Sequence, residues 1–159
     1  MSSTQIQGLD NVKSKLAKLS SLINGSGMQE IMRDIGEKIK LDIEMSFENE
    51  KSPFGEVWRV RKAVGKDYNN NNNRKLLHEK GNLSSNWQTK ATPKQVTVSN
   101  NTVKAYGAVQ NWGSKKSSGR GSGIPARRYL PIDDNGELEP KLKKSIEKIV
   151  VDKIEKVLN

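Results

Sequence analysis

The chain has no cysteine and a single histidine, His78. That excludes disulfides, thiol chemistry and any one-chain tetrahedral zinc site built from nitrogen and sulfur ligands. Aromatics are scarce too: two Phe, three Trp and three Tyr leave few large side chains from which to build an interior. Hydrophobic residues make up only 33% and the mean hydropathy is −0.78, so the core must be thin or completed by neighbouring subunits. No stretch reaches the apolar length of a membrane span, and the N-terminus lacks the apolar region of a signal peptide. The expectation is a soluble protein made and used in a cytoplasm. At 159 residues one domain is the natural count. Residues 1–27 read as an N-terminal helix with a Gly/Ser linker, and 28–159 as a single domain.

Catalytic chemistry finds little support. His78 adjoins Glu79, but consecutive residues on a helix point apart, so a surface or capping histidine is the simpler reading. Asp133-Asp134-Asn135-Gly136 could hold a hard cation, yet it is more simply a turn, and the ligand pattern of an EF-hand is absent. Residues 119–123, Gly-Arg-Gly-Ser-Gly, lack the Gly-Lys-Ser/Thr ending of a phosphate-binding loop. They read as flexible linker with added charge. The sequence therefore implies no catalytic residue, no metal and no cofactor.

What the chain does have is a lopsided charge. Residues 51–128 hold 16 Lys/Arg against 3 Asp/Glu, while 1–50 hold 6 against 8 and 129–159 hold 6 against 7. The whole excess sits in the middle, between two balanced ends. Such a distribution suits a polyanionic partner, either nucleic acid or an acidic protein surface. The plainer alternative is a solvated basic surface that aids solubility.

Apolar spacing places the elements. Leu9, Val12, Leu16, Leu19 and Ile23 recur every three or four residues, which predicts a helix closed by Asn24-Gly25-Ser26-Gly27. Met28, Met32, Ile35, Ile39, Ile43 and Phe47 share one face of a second helix, stopped by Ser52-Pro53. Leu138, Leu142, Ile146, Ile149, Val150, Ile154, Val157 and Leu158 stripe a long final helix. All three stripes are expected to be core. Between the helices the period falls to two. Leu83, Ser85, Trp87 and Thr89 predict one strand, and Val96 with Val98 a second. Ser99-Asn100-Asn101-Thr102 predicts a hairpin turn into Val103 and Ala105. Residues 69–73 are five asparagines, a low-complexity loop. The class is α+β: N-terminal helices, a short antiparallel sheet with a long basic loop, and a long C-terminal amphipathic helix.

The most informative stretch is 106–130. Tyr-Gly-Ala-Val-Gln-Asn-Trp-Gly leads into a Lys/Ser/Gly/Arg loop that ends in Ile-Pro-Ala-Arg-Arg-Tyr-Leu. Tyr106, Trp112 and Tyr129 are expected to fasten the loop ends into the core, with Pro125 fixing direction and Trp58 and Trp87 as further structural anchors. Lys115, Lys116, Arg120, Arg127 and Arg128 are the candidate partner-binding residues. The lysines would supply diffuse, salt-sensitive attraction, and the arginine pair, beside Pro125, a directional contact to carboxylates or phosphates. For Arg127 and Arg128 the competing reading is that one of them braces the domain's own C-terminal helix.

The motifs also come in a telling order: Phe47, then Pro-Phe-Gly-Glu-Val-Trp at 53–58, Lys-Leu-Leu-His-Glu-Lys-Gly-Asn-Leu at 75–83, Trp87, the 106–113 unit, and Ile-Pro-Ala-Arg-Arg-Tyr-Leu. The series resembles the phage virion morphogenesis family, small tail-completion and neck proteins of Mu-like and related tailed phages. The resemblance spans residues 28–158. Gln110-Asn111-Trp112 stands where that family usually has His-Gln-Phe, and Arg128 where a Pro is frequent. The resemblance implies a structural virion assembly protein that joins heads to tails by binding other tail and neck proteins. It also implies a homo-oligomer, with a hexameric ring by analogy with tail symmetry. Such a subunit would be assembled in the host bacterial cytoplasm and carried in the virion, with a DNA contact left open. A small DNA- or RNA-binding domain is the alternative, in which Trp58, Trp87, Tyr106 and Trp112 would stack on bases.

Overall fold

Helix α2, Gly27–Asn49, organises the fold. The computed structural model describes residues 9–60, 75–77, 83–100, 104–115 and 123–159. Within them lie α1 (Leu9–Asn24), α2, a two-stranded antiparallel sheet of β1 (Trp87–Ala91) and β2 (Val96–Asn100), α3 (Lys104–Trp112) and α4 (Pro140–Leu158). Ile31, Ile35, Ile43 and Phe47 fall on one face of α2 and are all buried. Gly36 lets that face approach the sheet. A Cβ there would sit 2.3 Å from Thr89 Cγ2 and 2.6 Å from Val96 Cγ2.

The helix ends where the sequence predicts. Glu50 takes a left-handed conformation (φ 52°), and Pro53 biases Ser52 away from helical backbone. A tight turn follows, in which Ser52 N–H donates to Glu56 O (2.7 Å) and Gly55 N–H to Ser52 O (2.9 Å). The turn returns Trp58 to the helix, with its N–H donating to Glu50 O at 2.8 Å.

The hairpin pairs Trp87 with Asn100 through to Ala91 with Val96. Thr92 closes it: its N–H donates to Gln95 O, and its hydroxyl accepts from Gln95 N–H. Trp87 points inward, while Gln88 and Lys90 face out. Leu83 is buried as expected, but it and Ser85 lie in the turn before the strand rather than in it.

Among the described residues the predicted further strand is not formed. Ala105 belongs to α3, and Val103 lies outside the described residues. The inward positions of α3 are Gly107, Gln110 and Asn111, one glycine and two amides. An apolar count cannot see such a face, which is why the segment passed for strand and turn.

One aromatic cluster forms the centre. Phe47 meets Trp58 edge-on, with ring centroids 5.4 Å apart at 81°, and lies 5.0 Å from Tyr129. Tyr129 is in turn 6.0 Å from Trp87. Ile43, Leu76, Leu77 and Leu83 complete the cluster, with Ile39, Val98 and Leu130 packed against it.

Helix α4 starts cleanly. Glu139 caps it by accepting from Leu142 N–H at 2.7 Å, and Pro140 occupies the first turn. Ahead of it the Asp-Asp-Asn-Gly segment is a turn. Asp133 Oδ1 accepts from Asn135 N–H and Glu137 N–H, both at 2.8 Å, and Gly136 supplies a φ of 83°. The bond from the Glu137 amide holds the Asp133 carboxyl below its ordinary pKa.

Two of the three stripes expected to be core are only partly so. On α4 Leu142 alone is buried, and Val151 is half exposed. Helix α1 lies against α2 and α4, yet no residue of it is buried. Leu9, Val12, Leu16 and Ile23 keep about half their surface in solvent. Among the described residues no second layer covers them.

Candidate functional site

Helix α3 and the 123–130 segment build a neck in which Ser114 meets Ile124. Gly113 ends α3 with φ 76°, its N–H donating to Val109 O at 2.8 Å. Ser114 N–H then donates to Ile124 O (2.8 Å), and Ser114 Oγ accepts from Ile124 N–H (3.1 Å). A Cβ at Gly113 would come within 2.8 Å of both Ala126 N and Ile124 O, so the neck requires glycine.

Asn111 clamps the far side. It is fully buried, and its Oδ1 accepts from Tyr129 N–H (2.9 Å) and Leu130 N–H (3.0 Å). The Tyr129 hydroxyl donates to Gly107 O at 2.9 Å, tying the segment back to α3. Burial, with a smaller contribution from Tyr106, pushes the Tyr129 phenol up to about 12.

The expected anchors divide. Trp58, Trp87 and Tyr129 are buried, with Trp58 Nε1–H donating to Arg128 O (2.9 Å) and Trp87 Nε1–H to Leu83 O (3.1 Å). Pro125 is half-buried. Tyr106 and Trp112 do not enter the core; they remain 47% and 39% exposed. On a helix they lie roughly 100° or more around the axis from the Gly107/Asn111 face that packs inward.

The expected binding residues also divide. Lys115 is exposed at the lip of the neck, and Lys116 and Arg120 lie outside the described residues. Arg127 corrects the sequence reading. Only 6% exposed, it donates from Nε to Arg59 O (3.0 Å) and from Nη1 toward Gln110 Oε1 (3.5 Å). Its guanidinium is turned to the chain's own carbonyls and is not presented to a partner. Arg128 is half-buried, pairs through Nη2 with Asp134 Oδ2 (2.6 Å) and lies 5.5 Å over the Trp112 ring. The pair therefore braces the domain, though against α3, the 57–60 segment and the Asp134 turn rather than the C-terminal helix.

Sequence reasoning missed the residues beside this brace. Val57 and Val60 are 70% and 78% exposed on either side of exposed Arg59, and Ile124 and Trp112 stand exposed across Arg127. It also missed the outer face of α2, where Glu37, Leu41, Glu44 and Glu48 recur at four, three and four residues opposite the isoleucines. That spacing was the available signal. A groove of about 500 Å³ between α2, the 51–55 turn and the start of α4 holds no convergent acid–base set. Its Lys38 and Asp42 pair with each other, and Glu139 is committed to the cap.

A model of the phage virion morphogenesis family matches residues 7–154. The comparisons with curated proteins and with solved structures returned no match.

Proposed function

Since the chain belongs to the phage virion morphogenesis family, and its role is accordingly structural in phage assembly, we propose that it is a tail-completion or head–tail joining subunit. It works by binding: to other tail and neck proteins, and to copies of itself in a ring. Assembly takes place in the host bacterial cytoplasm, and the subunit stays in the virion at the tail or neck.

The observation that carries this reading is the family match across residues 7–154 of 159. The physical features agree with it. A thin aromatic core, an α1 stripe without cover and a basic middle are what a subunit completed by neighbours would have. No helix among the described residues is long and apolar enough to cross a membrane. The nucleic-acid alternative keeps its charge but loses two of its four stacking candidates, since Trp58 and Trp87 are buried.

Deleting the gene from the phage tests the assignment. Filled heads and separate tails should accumulate with lysis unaffected. Normal, joined, infectious particles from the deletion phage would overturn it.

A further inference from the structure

Two faces among the described residues differ in charge. Helix α2 holds six acids and three bases over Gly27–Asn49. Its outer face presents exposed Glu37 and Glu48, half-buried Glu44, and the half-exposed side chains of Leu41 (51%) and Met45 (48%). Glu37 meets Lys40 at 3.6 Å and Glu48 meets Lys75 at 2.5 Å, while Glu44 makes no ion pair among the described residues. Exposed pairs of this kind are weak and exchange readily with a partner's cations.

Across the core lies a surface of the reverse kind. Trp58 and Tyr129 pack on the inner side of α2 through Phe47. Beyond them, Arg127 joins the 57–60 segment to the end of α3 by its bonds to Arg59 O and Gln110. Around that joint stand Val57, Arg59, Val60, Trp112, Lys115 and Ile124, all exposed. None of the six is acidic, and Arg59 and Lys115 make no ion pair among the described residues.

We propose that these are the two halves of one contact between copies of this chain. The acidic, apolar α2 face of one subunit receives the basic, aromatic surface around Arg59, Trp112 and Lys115 of the next. The inference deepens the ring part of the reading above and rests on it. Because the two halves are different surfaces on opposite sides of the core, the contact is heterologous. A two-fold dimer cannot satisfy it; each subunit keeps one half free for a further copy, and the series ends only when it closes. The apolar side chains supply the buried surface, and the opposite charges set the register and exclude like-with-like pairing.

Two charge-reversed variants of the full chain test this by light scattering and sedimentation over a concentration series. One carries Glu37→Lys with Glu44→Lys, the other Arg59→Glu with Lys115→Glu. All four positions are exposed or half-buried, so circular dichroism and thermal melting should match the wild type. The wild type should associate with rising concentration, less so at high salt. Each variant alone should lose about tenfold or more of that association, since like charges now face each other. Mixed in equal amounts they should recover it, because every contact between the two again joins opposite signs. A wild type that stays monomeric overturns the proposal, as does a variant that associates like the wild type or a mixture that does not recover. Those results leave the joining role standing, which is judged on particles from the deletion phage. Joined particles from that phage overturn the role and leave the measured association intact.

Discussion

The stripe of α2 and those of α1 and α4 carry the same apolar period but meet different fates. On α2, Ile31 and Ile35 are buried, and Ile43 and Phe47 are sealed under Trp58, Trp87, Tyr129 and the Leu76/Leu77 pair. On α1 no residue is buried, and on α4 Leu142 alone is. Both regions read as amphipathic helix, yet one is closed within the subunit and the other is left half in solvent. A stripe therefore announces a face and says nothing of what covers it. The few aromatics decide the matter here. Four of the chain's eight meet in one cluster, and the helical layer has none to close it.

The sharpest way to break this contrast is to truncate one side chain from each region. Phe47→Ala should cost about 3–5 kcal/mol in urea unfolding, the range for a buried aromatic. Leu16→Ala, at a position 60% exposed, should stay within about 0.5 kcal/mol for the isolated subunit. Comparable losses from the two would mean that α1 is covered in solution and that the contrast is false.

A smaller effect separates the two arginines. Arg127→Ala removes buried, charge-assisted bonds to Arg59 O and Gln110 and should cost about 2–3 kcal/mol. Arg128→Ala loses a partly exposed pair with Asp134 and a stacking contact, about 1 kcal/mol or less. Thermal melts of the two variants check the order. An equal or reversed ranking would return Arg127 to the exposed role that the sequence suggested.

The effects of pH also divide between the regions. The phenol of Tyr129 is raised from 10 to about 12, so the unfolded chain releases this proton first. Stability is whole below pH 10 and falls as pH rises toward 12, by on the order of 2 kcal/mol. Tyr129→Phe should flatten that slope, at the expense of about 1 kcal/mol at neutral pH for the lost bond to Gly107. In the helical layer, the Lys153 ammonium, 3.0 Å away, holds Glu30 below its ordinary 4.5. That contribution is present above pH 4.5 and lost as pH falls through the lowered value. Lys153→Met should remove it, visible as a shallower acid limb in a pH series of melting temperatures.

Much of the architecture was legible in advance: the stripes of α2 and α4, the two strands around Trp87 and Val98, and the Asp-Asp-Asn-Gly turn, though the hairpin expected at 99–102 turns instead at 92–95, with Ser99 and Asn100 inside β2. Helix α3 was not, because its inward face is made of Gly107, Gln110 and Asn111 and carries no apolar signal. For the arginines, brace and partner contact were both left open for a related reason. Arg127 bonds to a carbonyl 68 residues away at Arg59, and nothing local marks a cation whose partners are so distant in sequence. The charge asymmetry was plain from the start, but its counterpart on the outer face of α2 emerged only once the isoleucines had fixed the inner one.

The core reaches out for a stretch of chain and holds it at both ends. Arg127 grips the carbonyl of Arg59, while Glu50 receives the amide of Leu76 (2.5 Å) and Glu48 pairs with Lys75. With both ends held, the fold takes little account of how many residues run from 61 to 74. Each doubling of such a span costs only about 0.6 kcal/mol in closure entropy. Insertions or deletions between 61 and 74 should therefore leave the melting temperature of the isolated protein nearly unchanged.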